Sequence, residues 1–164
     1  MDYLIKHITN HNLSEFATQS LTDTIYNNFK YLEHDVPTHN KSEIQNLLKS
    51  SDMYGLLIYK CDVVVGYLIG EYKEIDFERL VFFVTYIYVS YEHRNNGLGC
   101  KLMKRVFKLC EDNDIKWVLL QYDTNNKKLY NFYTKFGFSP DRILRRFDRY
   151  DIFCKQILND VQLS

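Results

Sequence analysis

Arg94, Gly97 and Gly99 stand in the run Arg94-Asn95-Asn96-Gly97-Leu98-Gly99, the stretch of this 164-residue chain best suited to hold an anion. Upstream, Val81 to Val89 are all apolar, aromatic or Thr and rich in β-branched types, the mark of a buried strand. Downstream, Leu98, Leu102, Val106 and Leu109 fall at helical spacing. The segment reads as strand, glycine turn, helix. The first turn of a helix has backbone N–H groups with no intrahelical partner, and the helix dipole adds positive potential there. Glycines remove side chains that would keep a phosphate from those amides, so the turn is a candidate pyrophosphate cradle. Arg94 stands at its lip, placed to add charge-assisted hydrogen bonds. The same glycines also suit an ordinary tight turn. Neither standard phosphate motif is complete: the dinucleotide fingerprint needs a glycine where Leu102 stands, and a P-loop needs Lys after its last glycine, where Cys100 stands.

A second run with chemical potential is Asn125 to Phe138, NNKKLYNFYTKFGF. On a helix, Asn126, Leu129 or Tyr130, and Tyr133 lie along one side. A tyrosine phenol, with an ordinary pKa of about 10, can act as a proton donor. Tyr130, Phe132, Tyr133 and Phe136 also read as aromatic core packing.

The elements that position these runs follow from spacing and punctuation. Residues 3 to 9 read as a strand, and Ser14 as the cap of a helix to about Lys30. A polar loop around Pro37 follows, and Ser42 is the expected cap of a shorter helix through Ile44, Leu47 and Leu48. Met53 to Tyr59 and Val63 to Tyr72 form a hairpin about Cys61-Asp62, and Gly66 inside its second strand marks a bulge or a close backbone approach. Ile115 to Gln121 is another buried strand. Asp123 to Asn126 end it and cap a helix over Lys127 to Phe136, which Gly137 stops; a last strand runs from about Tyr150 to Ile157. The order is mixed α/β, with central strands too apolar to have one face in water.

Composition narrows the function. With 21 Lys+Arg against 21 Asp+Glu, the chain lacks the basic surplus of a general nucleic-acid or membrane-surface binder. It shows no run of about twenty apolar residues and no secretory signal at its start. Cys61, Cys100, Cys110 and Cys154 form no CxxC pair and no metal-ligand spacing, so a cytoplasmic protein with reduced thiols and no metal is expected.

The pattern Arg-x-x-Gly-x-Gly after a strand resembles the acyl-CoA-binding motif of the GNAT superfamily of N-acetyltransferases. The order Asn126, Leu129, Phe132, Tyr133, Lys135, Gly137, Phe138 resembles the second signature of that family, in the right order and with a strand between. The resemblance implies the GNAT fold over residues 1–164 as a single domain, with a mixed central sheet whose fourth and fifth strands splay apart, flanked by helices. It implies acetyl-CoA as cofactor and a primary amine, on a small molecule or a protein, as acceptor. By the resemblance, the pantetheine arm pairs with Ile87, Tyr88 and Val89 like an added strand, and the pyrophosphate sits on the amides of Arg94, Asn95, Asn96, Gly97, Leu98, Gly99 and Cys100. Asn126 then contacts the cofactor, and Tyr133 lies beside the thioester sulfur as the general acid. Some family members carry a Glu early in the central strand. The matching position here is near Val81, so the chain departs from that pattern and leaves Glu71, Tyr86, Glu92, Asp123 or water as the base. Acceptors in the family enter over the first helix and the loop after it, where Glu33, His34 and Asp35 suit either a cationic amine or a solvated loop. The run Arg142, Arg145, Arg146 and Arg149, offset by Asp141, Asp148 and Asp151, reads as surface. A monomer or homodimer fits this reading. A catalytically silent GNAT-fold module that binds acyl-CoA or a partner protein is the competing one.

Overall fold

The computed structural model describes residues 2–30, 40–76, 79–144 and 150–157. In chain order the elements are β1 (Leu4–Ile8), α1 (Glu15–Phe29), α2 (Lys41–Lys49), β2 (Met53–Lys60), β3 (Val63–Ile75), β4 (Arg79–Val89), α3 (Leu98–Asp112), β5 (Trp117–Asp123), α4 (Lys127–Lys135), β6 (Ser139–Pro140) and β7 (Tyr150–Gln156). The strands form one seven-stranded sheet in the order β1-β2-β3-β4-β5-β7-β6. Its pairs are antiparallel except β4–β5, which is parallel. That exception follows from connectivity, because α3 is the crossover that a parallel neighbour requires.

Both faces of the sheet are covered, which explains the unbroken apolar run of β4. On one face α1 and α2 bring Leu21, Ile25, Ile44 and Leu48 onto Leu57, Tyr67, Ile69 and Tyr86. On the other, α3 brings Leu98, Leu102, Met103, Val106 and Cys110, and α4 brings Tyr133, onto Leu56, Leu68, Phe82, Val84 and Leu120. Lys101, Lys104, Arg105 and Lys108 point outward, as a solvated helix face does.

Local chemistry sets the boundaries. Ser14 accepts from the Ala17 amide at 3.1 Å and starts α1. The cap of α2 is Asn40 rather than the expected Ser42: its Oδ1 accepts from the Glu43 amide at 2.8 Å, and Ser42 falls inside the first turn. Cys61 and Asp62 both take positive φ, 51° and 65°, the backbone of a two-residue hairpin turn. Pairing of β2 with β3 shifts by one residue beside Gly66, where a bulge was expected. A two-residue strand, β6, was not anticipated.

A second bulge organises the site. Ile69 pairs with Tyr86 but Gly70 pairs with Val84, so Thr85 is an extra residue in β4. Before it, Phe82 and Val84 face α3 and α4; after it, Ile87 and Val89 do, while Tyr86 and Tyr88 turn to α1 and α2. The β4–β5 ladder ends at the same place. Its pairs run from Val81–Trp117 to Val84–Leu120, although the strands continue to Val89 and Asp123. The two strands therefore part at the bulge.

Beyond β5, the chain is anchored by Arg79. Its guanidinium bonds Asp76 and reaches Asp141 at 2.9 and 3.2 Å, and it lies 5.2 Å from the Trp117 ring. Asp141 and Asp151 are 1% and 5% exposed, so these two carboxylates are not the surface groups their sequence context suggested. Burial alone would raise the Asp141 pKa, but the Arg79 hydrogen bonds and the amides of Leu144 and Ile143 outweigh it and hold the carboxyl at about 2. Arg142 is exposed; Arg145, Arg146 and Arg149, like Glu33, His34 and Asp35, lie outside the described residues.

Candidate functional site

The glycine turn follows directly from the open end of β4. A short 3-10 turn, Tyr91–His93, leads into Arg94 to Asn96, and Gly97 opens α3 at φ 72° and ψ 14°. This left-handed conformation favours glycine, because a Cβ would crowd the following carbonyl. Asn95 is also left-handed, at φ 64°, which asparagine tolerates. Gly99 is glycine for a different reason: a Cβ there would lie 3.1 and 3.3 Å from the Phe132 ring of α4, tighter than normal packing. The second glycine lets the two signature helices touch.

Among the described α-helices, α3 alone has no side-chain N-cap; α1, α2 and α4 are capped by Ser14, Asn40 and Asn126. Its first intrahelical bond runs from the Lys101 amide to the Gly97 carbonyl at 3.1 Å. The amides of Leu98, Gly99 and Cys100 therefore lack intrahelical partners, and the first turn carries no acidic residue. Around Gly97, no heavy atom lies within 4 Å of where a Cβ would be. Open amides at a dipole's positive end fit a phosphate group. The Asn96 side chain is turned inward, donating to the His93 and Arg94 carbonyls at 3.0 and 3.3 Å.

The register of β4 gives the neighbouring edge its polarity. The Ser90 amide donates to the Val65 carbonyl at 2.8 Å, so Ser90 faces β3. Backbone groups alternate along a strand, so those of Tyr88 also face β3, while the N–H and C=O of Ile87 and Val89 face the side that β5 has left. Ile87 and Val89 thus offer strand-pairing groups to the gap, and Tyr88 contributes its ring on the α1 side. That ring stacks on Tyr67 at 5.7 Å.

A cleft of about 800 Å³ opens where β4 and β5 diverge, walled by the end of α1, by α2 and by the start of α4. Glu71, Tyr86 and Asp123, three of the four side chains considered for the base, reach it; Glu92, in the 3-10 turn, does not. Glu71 is ion-paired with Lys73 at 3.3 Å, and one oxygen of Asp123 accepts from the Asn125 amide at 2.9 Å. Burial, and then the charge of Glu43, push the Tyr86 phenol well above its ordinary range, so it stays protonated at neutral pH. Glu43 is thereby a third carboxylate of the cleft that sequence reading missed. Its signal lay in the spacing of α2, since Glu43, Asn46, Leu47 and Ser50 form one helical stripe, and all four line the cleft.

Asn126 also lines the cleft, although its Oδ1 already caps α4 by accepting from the Leu129 amide at 3.1 Å. Tyr133 is not among the wall residues. It is 3% exposed and packs edge-on against Phe132 and Phe138, in the same cluster as Ile87, Val89 and Leu98. Burial raises its phenol above the ordinary tyrosine range, so it holds its proton. Among the described residues no group of His, Cys, Asp and Glu is arranged to hold a metal, and no helix is long and apolar enough to cross a membrane.

Comparison with known proteins agrees with this architecture. Ard1 from Thermoplasma volcanium superposes with a TM-score of 0.72 at 17% identity, over 97% of this chain and 100% of that one. The PaiA N-acetyltransferase from Thermoplasma acidophilum, solved with coenzyme A, gives 0.71 at 15% identity, over 95% and 99%. Escherichia coli ElaA gives 0.72 at 21% identity, over 94% and 99%. At such identities the likeness is one of fold. Among curated proteins, none matches the chain in sequence. The model of the acetyltransferase (GNAT) family matches residues 15–138, from the start of α1 through both signature runs, and the chain belongs to that family.

Proposed function

We propose that this chain is an N-acetyltransferase that moves the acetyl group of acetyl-CoA directly to a primary amine. The observation that carries the reading is the junction of the parted β4 edge with the uncapped, glycine-opened turn of α3. A molecule with an amide-bearing arm on one side of a pyrophosphate matches that junction in both its parts. The cofactor supplies an acyl group activated as a thioester. The amides of Asn95 to Cys100 hold the pyrophosphate, whereas that of Arg94 already donates to the Tyr91 carbonyl at 3.3 Å, and Ile87 and Val89 pair with the arm. A backbone N–H on this edge can steady the charge that develops on the carbonyl oxygen.

The cleft beneath α2 admits the amine from the other side. Glu43, Glu71 and Asp123 are placed to take its proton, and the protonated Tyr133 phenol returns one to the departing sulfur. The burial of Tyr133, which does not line the cleft, and the apolar Val81 near the position where some family members carry a Glu favour the second reading, a GNAT-fold module that binds acyl-CoA or a protein without turnover. Calorimetric titration with acetyl-CoA, CoA and ATP, followed by thiol release across an amine panel, separates them. Selective micromolar binding of the CoA species with thiol release supports the enzyme. Binding without release selects the module, and equal binding of ATP removes the cradle assignment.

A further inference from the structure

Arg94 does not extend toward the open amides of α3. Its Nε–H donates to the Val89 carbonyl at 2.8 Å, and its guanidinium lies 5.6 Å from the Tyr88 ring and 5.7 Å from the Tyr91 ring. The Tyr88 ring belongs to the face covered by α1, where it packs with Phe29 and Tyr67, whereas Leu98 and the first turn of α3 pack on the opposite face. The guanidinium is therefore folded back around the end of β4. The carbonyl it meets is the last one on the open edge, because the Ser90 amide already faces β3.

We infer that Arg94 is a positioning residue that clips the glycine turn to the parted edge of β4 through the Val89 carbonyl, rather than a ligand of the phosphates. The inference rests on the proposed reading of the site as one for a pantetheine arm and a pyrophosphate. Its chemistry is specific. A charged N–H to a backbone carbonyl, with the guanidinium 5.6 and 5.7 Å from two tyrosine rings, fixes the turn relative to the strand. The clip also uses up the Val89 carbonyl, so strand pairing on this edge stops there. The arm is left with the N–H and C=O of Ile87 and the N–H of Val89. Tyr91, 82% exposed, and Tyr88 hold the guanidinium in place. A lysine keeps the charge but has neither the fork nor the stacking plane, and it does not reproduce the clip.

The test compares two donors, acetyl-CoA and S-acetyl-pantetheine, which has the arm without the pyrophosphate. The clip predicts that Arg94→Ala lowers kcat/KM by about tenfold for both donors alike, the effect of one charge-assisted hydrogen bond. Arg94→Lys should behave like Arg94→Ala, and the salt dependence of CoA binding should be unchanged. A loss confined to acetyl-CoA, or recovery in Arg94→Lys, makes Arg94 a phosphate ligand and overturns the inference. Unchanged activity in Arg94→Ala also overturns it. A readout without any donor keeps the two levels apart: in ligand-free protein the Arg94 Nε–H proton should exchange with solvent at least tenfold more slowly than a free guanidinium. A protected Nε–H in protein that binds no CoA leaves the clip standing and removes the functional reading. An unprotected one removes the clip.

Discussion

Replacing Gly97 isolates the backbone conformation on which the cradle depends. The site has no neighbour within 4 Å of a new Cβ, so a side chain there meets no steric barrier, and only the φ of 72° opposes it. Holding an L-residue in that conformation costs about 1–2 kcal/mol. Removing a glycine also restricts the unfolded chain, which offsets about 0.4–1 kcal/mol of this. Gly97→Ala should therefore be destabilised by about 1 kcal/mol, a fall in Tm of about 2–4 °C for a chain of this size. Gly97→Val, β-branched, should lose more, and Gly97→Asn less, since asparagine tolerates the left-handed region. Binding discriminates further. If residue 97 relaxes out of the left-handed well, the amides of Leu98, Gly99 and Cys100 turn away, and the loss of one hydrogen bond to a charged group weakens CoA binding about ten- to hundredfold. Urea denaturation and calorimetry on the three variants give both quantities. Gly97→Val with wild-type stability and wild-type CoA affinity would refute the claim that this conformation builds the cradle.

Tyr133→Phe should lower kcat by about 10²–10⁴-fold while CoA affinity changes little; turnover at the wild-type rate excludes the phenol as the proton donor. Among Glu43→Gln, Glu71→Gln and Asp123→Asn, the substitution that removes the proton acceptor should abolish the acidic limb of the kcat/KM profile, and three unaltered profiles would point to water instead. The Asp141 carboxyl, held at about 2, contributes stability that is full above its unfolded pKa of about 3.9 and is lost as pH falls through 2. The shift corresponds to about 2–3 kcal/mol, so Asp141→Asn should lose about that much in urea at pH 7. The gap from wild type should narrow below pH 4, and a gap independent of pH contradicts the assignment.

Much of this fold was legible in the chain, because its punctuation is strong. Cys61-Asp62, Gly97 and Gly137 stand at positive φ, and Ser14 and Asn126 cap the helices they precede. The cap of the second helix was placed less well, since Asn40 and Ser42 stand two residues apart and both are competent caps. The bulge at Thr85 left no trace. Both faces of β4 are buried, so shifting the alternation by one residue exchanges apolar side chains for apolar side chains. The cleft was hidden for a different reason. Glu43, Glu71 and Asp123 come from three elements distant in sequence, and nothing local announces that they meet. Arg94 was found by its motif, but its direction depends on a carbonyl five residues back whose orientation only the register reveals.

The parting of β4 from β5 leaves a seam inside the sheet rather than at its rim. An outer strand margin is open to any neighbouring polypeptide and invites clumping between molecules. An interior seam has helices over both faces. A second polypeptide strand brings side chains that would strike α1 and α2 on one face and α3 and α4 on the other. On the proposed reading, the unbranched, amide-bearing end of the pantetheine arm enters where a peptide strand does not. On that reading the seam is a gauge that sorts visitors by girth before any of their charges are read, at the point where the β4–β5 ladder has ended.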